Sequence, residues 1–378
     1  MPASRDPLPP GDIRTIVNWI QRGARADNGS LPFPEPRPRG KVFFTSQAVD
    51  LVGILDIQSG LIMRYISVGN PLPFTAPPKA PHNVQVDDQG RYFYVTMIST
   101  NVLKKYDAAT YQFQGEVSVG LSPAQVVLTQ DGSKAYVTNF DPTVGQVYEV
   151  NTASMTVSNI IASPSLMKRT HGARLSHDGE YLYVGNNATD FITVIKTSND
   201  SVVTHMKAAA DVPDIGSFIY KPYQIAVRSD DRFIYTTCNG RGVVSVMERT
   251  GESFTLVGTI PVGTNPLQCE ITRDGRFLYV CNRGSNDVTV IRTDSNTVLT
   301  TIPNVGKQPH GIDITDDSRT VYVTCENTAG GDPPHHPLVG SKAPAFISII
   351  DVTTNQVIRR IEVGGFAAGI SIYPGLGN

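Results

Sequence analysis

Three of the seven histidines in the chain, His82, His171 and His310, occupy one position of a repeated sequence pattern. Imidazole is a common protein ligand of copper, zinc and iron. If the fold brings these side chains together, they form a site for copper or another transition metal, or they ligate a redox centre. Two alternatives stand beside this one: a pocket for a non-metal ligand, and histidines that only hydrogen-bond to backbone carbonyl groups.

Four further residues belong to the same part of the pattern. Tyr223 takes the histidine position in another repeat, and Gln125, Gln224 and Gln268 each follow that position in their own repeats. We predict that these four residues bind a ligand beside the histidines. The alternative is that the glutamines only satisfy backbone groups.

Charged residues follow a few steps further along the same segments. Glu270 and Asp313 could bind a cation or act as acid and base, and they could equally pair with Arg174. The chain has no G-x-S-x-G elbow and no phosphate-binding loop, so the sequence identifies no catalytic residue.

The elements that hold these residues follow from an internal repeat. A short apolar strand with a central tyrosine recurs at intervals of roughly 40 to 50 residues, the period of a four-stranded propeller blade. Each copy follows an alternating strand and a tight turn, such as Asp131-Gly132, and precedes two more strands. The six copies lie at residues 93–96, 135–139, 182–186, 234–239, 278–282 and 321–325.

A seventh blade is predicted from both ends of the chain. Residues 369–372 read as a first strand with nothing after it, and residues 40–45 read as a second strand with nothing before it. Joining them closes the ring and removes an open sheet edge. We therefore predict an all-β, seven-bladed β-propeller whose histidine position lies at the top of the central channel.

The repeats resemble the YVTN family of β-propeller repeats across about residues 40–374. The strand Tyr136–Asn139 and the preceding turn Asp131-Gly132 carry the resemblance. Relatives of this kind include surface-layer proteins, lactonase-like proteins, and the propellers of nitrous oxide reductase and of haem-containing nitrite reductase. In nitrous oxide reductase, propeller histidines hold a copper cluster. The resemblance implies a periplasmic or extracellular location.

The segment before the ring forms a separate part, so we divide the chain into residues 1–39 and 40–378. Ile13, Ile16, Val17 and Ile20 recur at helical spacing, and prolines dominate residues 32–38. Residues 12–24 resemble the last helix of a c-type cytochrome domain. That resemblance implies an upstream domain with haem c and a cytochrome partner; the alternative is an amphipathic helix that docks on the propeller.

Composition excludes some functions. Lys and Arg number 32 against 34 Asp and Glu, so no basic surplus points to nucleic acid. No apolar run approaches the length of a membrane span. The cysteines lack the spacing of metal or haem-attachment motifs, and we predict buried free thiols at Cys238, Cys269, Cys281 and Cys325.

Three functions follow from these patterns. The first is an extracytoplasmic module that binds a protein or a small molecule on its top face, associated with a redox partner such as a cytochrome c. The second is a metal- or haem-binding oxidoreductase that uses the three histidines. The third is a lactonase-like enzyme, which no particular set of residues supports.

Overall fold

The computed structural model describes residues 9–21, 40–70, 77–334, 343–373 and 375. The predicted N-terminal helix is present as α1 (Pro10–Gln21), and Ile13, Ile16 and Trp19 are exposed on it. No helix in these ranges is long and apolar enough to cross a membrane.

All the other regular elements in the described ranges, apart from one short 3₁₀ turn, are β-strands, and their lengths run from six to nine residues. In chain order they are β1 (Lys41–Ser46), β2 (Leu51–Asp56), β3 (Ile62–Ser67), β4 (Pro81–Val86), β5 (Tyr92–Met97), β6 (Val102–Asp107), β7 (Phe113–Ser118), β8 (Pro123–Leu128), β9 (Lys134–Asn139), β10 (Gln146–Asn151), β11 (Thr156–Ala162), β12 (Thr170–Leu175), β13 (Tyr181–Asn186), β14 (Phe191–Lys196), β15 (Ser201–Lys207), β16 (Pro222–Val227), β17 (Phe233–Cys238), β18 (Val243–Thr250), β19 (Ser253–Pro261), β20 (Pro266–Ile271), β21 (Phe277–Asn282), β22 (Asp287–Arg292), β23 (Thr297–Ile302), β24 (Pro309–Ile314), β25 (Thr320–Cys325), β26 (Ala345–Asp351), β27 (Gln356–Val363) and β28 (Ala367–Tyr373).

The strands form seven four-stranded antiparallel sheets, which are the blades of a propeller. Blades 1 to 6 run in chain order from β4 to β27, and each blade begins with its innermost strand. The innermost strands contact one another in a closed ring around the central channel: β4, β8, β12, β16, β20, β24 and β28. The predicted fold class is therefore confirmed.

Blade 7 joins the two ends of the chain, as predicted. Its strand order is β28-β1-β2-β3, and Ile372 pairs with Val42 across the seam. Ile370 and Ile372 are buried there, so closing the ring also completes the apolar contacts between blades 6 and 7.

The repeated Tyr-Val-Thr strand explains how neighbouring blades are joined. Its tyrosine is buried, and in three blades its hydroxyl bonds a polar turn of the next blade: Tyr136 bonds Asp200 at 3.2 Å, Tyr235 bonds Asn296 at 2.6 Å and Tyr279 bonds Asn355 at 2.7 Å. Its valine packs in the apolar layer between blades, as Val137 does. A repeated position therefore adds a polar contact between blades 2 and 3, 4 and 5, and 5 and 6 to the apolar packing.

The cysteines are all buried and free, as predicted from their spacing. Burial raises the pKa of the Cys269 thiol to about 12, so this group stays protonated and unreactive at neutral pH.

Candidate functional site

His82, His171 and His310 are the second residues of the innermost strands β4, β12 and β24. We call this second residue the top position, because all these strands begin at the same end of the channel. The three side chains are 8, 2 and 3% exposed. The ring places them two, three and two blades apart, so they approach one another from three sides.

The structure brings the three imidazoles together. The Nε2 atoms of His82 and His171 lie 3.3 Å apart. The ring of His82 stands 5.5 Å from the ring of His171 and 5.5 Å from that of His310, in edge-on arrangements. His82 is therefore the middle member of the cluster and contacts both of the other histidines.

Repeated threonines fix the backbone beneath two of these histidines. Thr45 Oγ1 donates a hydrogen bond to the carbonyl oxygen of His82, and Thr138 Oγ1 donates one to that of His171. Each threonine belongs to the second strand of the preceding blade in the ring. The Tyr-Val-Thr repeat therefore sets the positions from which the imidazoles project.

His310 is held by a carboxylate and a guanidinium. Its Nδ1 lies 2.8 Å from Oε1 of Glu326, and Arg283 donates to both Glu326 oxygens at 2.9 and 2.6 Å. With Nδ1 donating to Glu326, the Nε2 atom faces away from the carboxylate. This atom is buried and has no hydrogen-bond partner within the described part of the chain.

Aromatic rings surround His171. Tyr223 stacks on it with centroids 3.7 Å apart, and Phe140 meets it edge-on at 4.9 Å. The guanidinium of Arg169 covers the ring of Phe140 at 4.7 Å. The predicted residue Tyr223 thus packs against the histidine cluster.

Burial controls the charge of the cluster. Burial and the nearby His310 lower the pKa of His82 to about 3, and burial together with His82 lowers the pKa of His171 well below its usual value. Burial acts to raise the pKa of Glu326, but the hydrogen bonds from His310 and Arg283 outweigh it and bring this pKa to about 2. At neutral pH, His82 and His171 are neutral beside an ionised carboxylate.

Sequence reasoning missed the residues that contact the histidines from the side. Gln47 Oε1 lies 3.1 Å from Nδ1 of His82, and Phe140, Arg283 and Glu326 make the contacts described above. All four directly follow the second strand of their blades. An alignment of the repeats places these four residues in one column, the first position after the second strand of a blade.

The three predicted glutamines lie one residue deeper than the histidines. Gln125, Gln224 and Gln268 line a channel cavity of about 180 Å³. Gln125 Oε1 accepts a hydrogen bond from the Ala173 amide of the next blade at 2.7 Å, which is the backbone role considered as the alternative. The three glutamines thus line the channel below the histidine cluster, whereas Tyr223 contacts the cluster directly.

The charged residues of the innermost strands meet further along this channel. Arg174 pairs with Glu270, and Arg273 lies 3.9 Å from Glu270 and 4.0 Å from Asp313. The pairing alternative considered for these groups is thus present. His335 and His336, in the insertion after β25, lie outside the described residues.

As they stand, no three His, Cys, Asp or Glu side chains of the described residues form a complete metal-ligand set. In the histidine cluster, two Nε2 atoms are in contact and that of His310 stands apart. What the cluster offers is two neutral imidazoles, those of His82 and His171, and a third imidazole, that of His310, anchored by a carboxylate.

Comparison with known proteins identifies the propeller type. A family model described as "Lactonase, 7-bladed beta-propeller" matches residues 79–263, 216–311 and 268–330, which together are more than half of the chain. YwhL, an uncharacterized protein of Bacillus subtilis strain 168, is 23% identical over 319 residues, covering 74% of this chain and 65% of that protein. The chain thus spans a little less than two thirds of this relative's length.

Solved structures share the same architecture. Hydrazine synthase from Kuenenia stuttgartiensis superposes with a TM-score of 0.61 at 17% identity, over 81% of this chain and 94% of that chain. The dihydro-heme d1 dehydrogenase NirN superposes with a TM-score of 0.60 at 14% identity, over 90% and 77%. At these sequence identities, the structural similarity shows a shared fold and nothing about function. On the match to its sequence model, the chain belongs to the lactonase family of seven-bladed β-propellers.

Proposed function

We propose that this protein is a metal-binding propeller in which His82, His171 and His310 hold one transition-metal ion at the top of the channel. The observation that carries the proposal is the 3.3 Å separation of the His82 and His171 Nε2 atoms. When two imidazole nitrogens each bind one tetrahedral ion at about 2.0–2.1 Å, the two nitrogens lie about as far apart as these two Nε2 atoms. A side-chain movement of His310 would complete the set, because its Nε2 atom has no hydrogen-bond partner among the described residues.

The partners of the outer nitrogens support this assignment. Metal-bound histidines commonly donate their second ring nitrogen to a carboxylate, a carbonyl or a water, which fixes the tautomer. Here Nδ1 of His310 contacts Glu326, and Nδ1 of His82 contacts the Gln47 side-chain oxygen. Both contacts leave the Nε2 lone pair directed into the cluster.

The protonation of the cluster also favours a metal. A ligand imidazole must be neutral, and the lowered pKa values of His82 and His171 keep them so across the physiological range. Three imidazole ligands suit copper, zinc, iron or nickel, and they leave a fourth position for a substrate or a water. In such a site the chain's own residues bind and orient the ion, and Tyr223 and Phe140 exclude water from one side of it.

A redox role, with a c-type cytochrome as partner, is the finer form of this proposal. It draws on the resemblance of residues 12–24 to a cytochrome helix and on the haem-related name of NirN. The periplasmic or extracellular location and the division into residues 1–39 and 40–378 belong to the same proposal.

A second candidate function is a binding module without a metal. The insertion between β15 and β16 presents Ile215, Phe218 and Ile219 at 89, 50 and 41% exposure. Neighbouring apolar side chains at this exposure favour contact with a partner protein. Surface plasmon resonance against a c-type cytochrome tests this candidate, with Ile215→Ser and Phe218→Ser each expected to weaken binding.

Metal analysis tests the primary proposal. Purified protein is stripped with a chelator, incubated with Cu²⁺ or Zn²⁺, desalted and analysed by mass spectrometry. We expect one ion per chain in the wild type and in His177→Ala, a variant of an exposed histidine on the opposite face. We expect almost none when His82, His171 and His310 are all changed to Ala. Equal metal content in the triple variant contradicts the proposal.

A further inference from the structure

The charged side chains that lie against the histidine cluster balance each other. Glu326 contacts His310, and Arg283 donates hydrogen bonds to both oxygens of the Glu326 carboxylate. The hydrogen bonds with Glu326 raise the pKa of Arg283, so the guanidinium stays charged beside the ionised carboxylate. The Glu326 side chain is 2% exposed and that of Arg283 is 31% exposed. The pair therefore adds no net charge at the edge of the cluster.

The remaining contacts of the cluster leave a bound ion without a compensating negative charge. Among the described residues, the other polar and aromatic contacts are uncharged: Gln47, Phe140, Tyr223 and Phe366. Burial raises the pKa of Tyr223, so its hydroxyl group stays protonated at neutral pH. The guanidinium of Arg169, which covers the Phe140 ring, adds one positive charge at a further remove. An ion at the three Nε2 atoms thus meets no carboxylate in these contacts that Arg283 does not already balance.

Burial makes the charge of a bound ion decisive for its affinity. His82, His171 and His310 are 8, 2 and 3% exposed, so an ion held by all three is largely removed from water. The electrostatic cost of this transfer grows with the square of the charge, which makes it about four times as large for a divalent ion as for a monovalent one. Neutral imidazoles leave that charge on the ion, whereas a carboxylate ligand would cancel part of it. The cluster therefore favours a monovalent ion.

Copper is the transition metal that meets these conditions. Imidazole is a suitable ligand for copper, and copper has a stable monovalent state, Cu⁺. Zinc, nickel and iron bind to proteins as ions of at least two positive charges. Among the metals that three imidazoles suit, copper alone can therefore occupy this position with a single positive charge.

We propose that the histidine cluster binds copper as Cu⁺ in preference to Cu²⁺ and Zn²⁺, and that the Glu326–Arg283 pair maintains this preference. The assignment rests on the metal site proposed above and names the ion that it holds. Removing Arg283 leaves a carboxylate that stabilises a divalent ion more than a monovalent one, and removing the charge of Glu326 leaves a guanidinium that does the reverse. The two changes act in opposite directions on the preference, which a purely structural role of the pair would not produce.

Competition titrations of the full chain under anaerobic conditions test this preference. Bicinchoninate competes for Cu⁺, supplied as its acetonitrile complex, and glycine competes for Cu²⁺ and Zn²⁺. We expect the wild type to bind Cu⁺ at least about tenfold more tightly than Cu²⁺, which places its copper couple at least about 59 mV above that of the aqueous ions. The dissociation constant of Cu²⁺ divided by that of Cu⁺ is expected to fall about tenfold in Arg283→Gln and to rise in Glu326→Gln. Arg232→Gln, at a surface pair with Glu248, is the matched control with an unchanged ratio.

The copper content of the same samples separates this assignment from the metal site itself. One copper per chain, with Cu²⁺ or Zn²⁺ bound as tightly as Cu⁺, would overturn the preference and leave the metal site standing. A ratio in Arg283→Gln that equals or exceeds that of the wild type would remove the pair as its cause. If Arg283→Gln does not fold, Glu326→Gln tests the pair alone, and an unchanged or lowered ratio there contradicts its role. No bound copper in either state overturns both the metal site and this assignment.

Discussion

The Nε2 atoms of His82 and His171 lie 3.3 Å apart, although 89 residues separate the two histidines in the sequence. Their strands β4 and β12 are not neighbours, since β8 stands between them in the ring. The contact therefore depends on the curvature of the whole propeller. Any change that opens the ring should also separate these two atoms.

Glu326 is expected to set the metal affinity of the cluster as a positioning residue. Glu326→Gln removes the charge that holds Nδ1 of His310 while retaining a hydrogen-bonding side chain. Loss of such an outer partner typically lowers metal affinity about 10- to 100-fold. Competition with a chelator of known affinity measures the change.

Glu248→Gln is the matched control, because Glu248 pairs with Arg232 at the surface. Unchanged affinity in Glu326→Gln would mean that the charge of Glu326 does not set the metal affinity.

The metal-free protein should lose stability as the pH falls from about 6.5 towards 4.5. His82 has a pKa of about 3 when folded, so at this residue the unfolded chain binds up to one proton more than the folded chain in this range. The free energy of unfolding then falls by up to about 1.4 kcal/mol per pH unit for this residue. Urea denaturation at several pH values measures the slope.

In His82→Gln this slope should become shallower by about the same amount. A variant whose slope matches that of the wild type would mean that His82 is protonated in the folded protein. The acidic limit of 4.5 keeps Glu326 ionised in the folded state, because its pKa is about 2.

Thr138 should contribute to stability through the join between blades 2 and 3. Its hydroxyl donates to the His171 carbonyl and accepts from the Gln125 amide. Thr138→Val has a similar shape and leaves both groups unpaired, so we expect about 1–3 kcal/mol of destabilisation. Chemical denaturation should show this loss, while Thr301→Val on an exposed outer strand stays within about 0.5 kcal/mol of the wild type.

The C-terminal strand should be required for a closed ring. Ending the chain at Gly365 removes β28, and burial of Ile370 and Ile372 alone stabilises the fold by about 1.5–3 kcal/mol each. We expect a lower thermal midpoint and self-association through the open edge of β1, measured by calorimetry and size-exclusion chromatography. A chain ending at Pro374 should behave as the wild type; equal behaviour of both truncations would contradict the closure.

The fold was predictable because equivalent residues in successive repeats make the same kind of contact. Within a second strand, the tyrosine packs towards the next blade and the valine towards the preceding one, as Tyr136 and Val137 do. Periodicity alone therefore locates six blades, and the seventh follows from residues 40–45 and 369–372. The YVTN name and the cytochrome resemblance of residues 12–24 stay predictions.

The candidate site was predictable only in part. His82, His171 and His310 share a column of the repeat, so their meeting follows from the ring. Glu326 and Gln47 share another column, in which only the asparagines of blades 3 and 4 repeat, so no pattern of residue types marks them. Gln224 shares a column with Gln125, yet its Oε1 atom accepts no hydrogen bond within the described residues.

The most direct test of the central claim is anomalous diffraction from crystals of the metal-loaded protein, recorded on both sides of the metal absorption edge. We predict one peak at the top of the channel, about 2.0–2.2 Å from the Nε2 atoms of His82, His171 and His310. A peak at any other position, or no peak in fully loaded protein, would contradict the account.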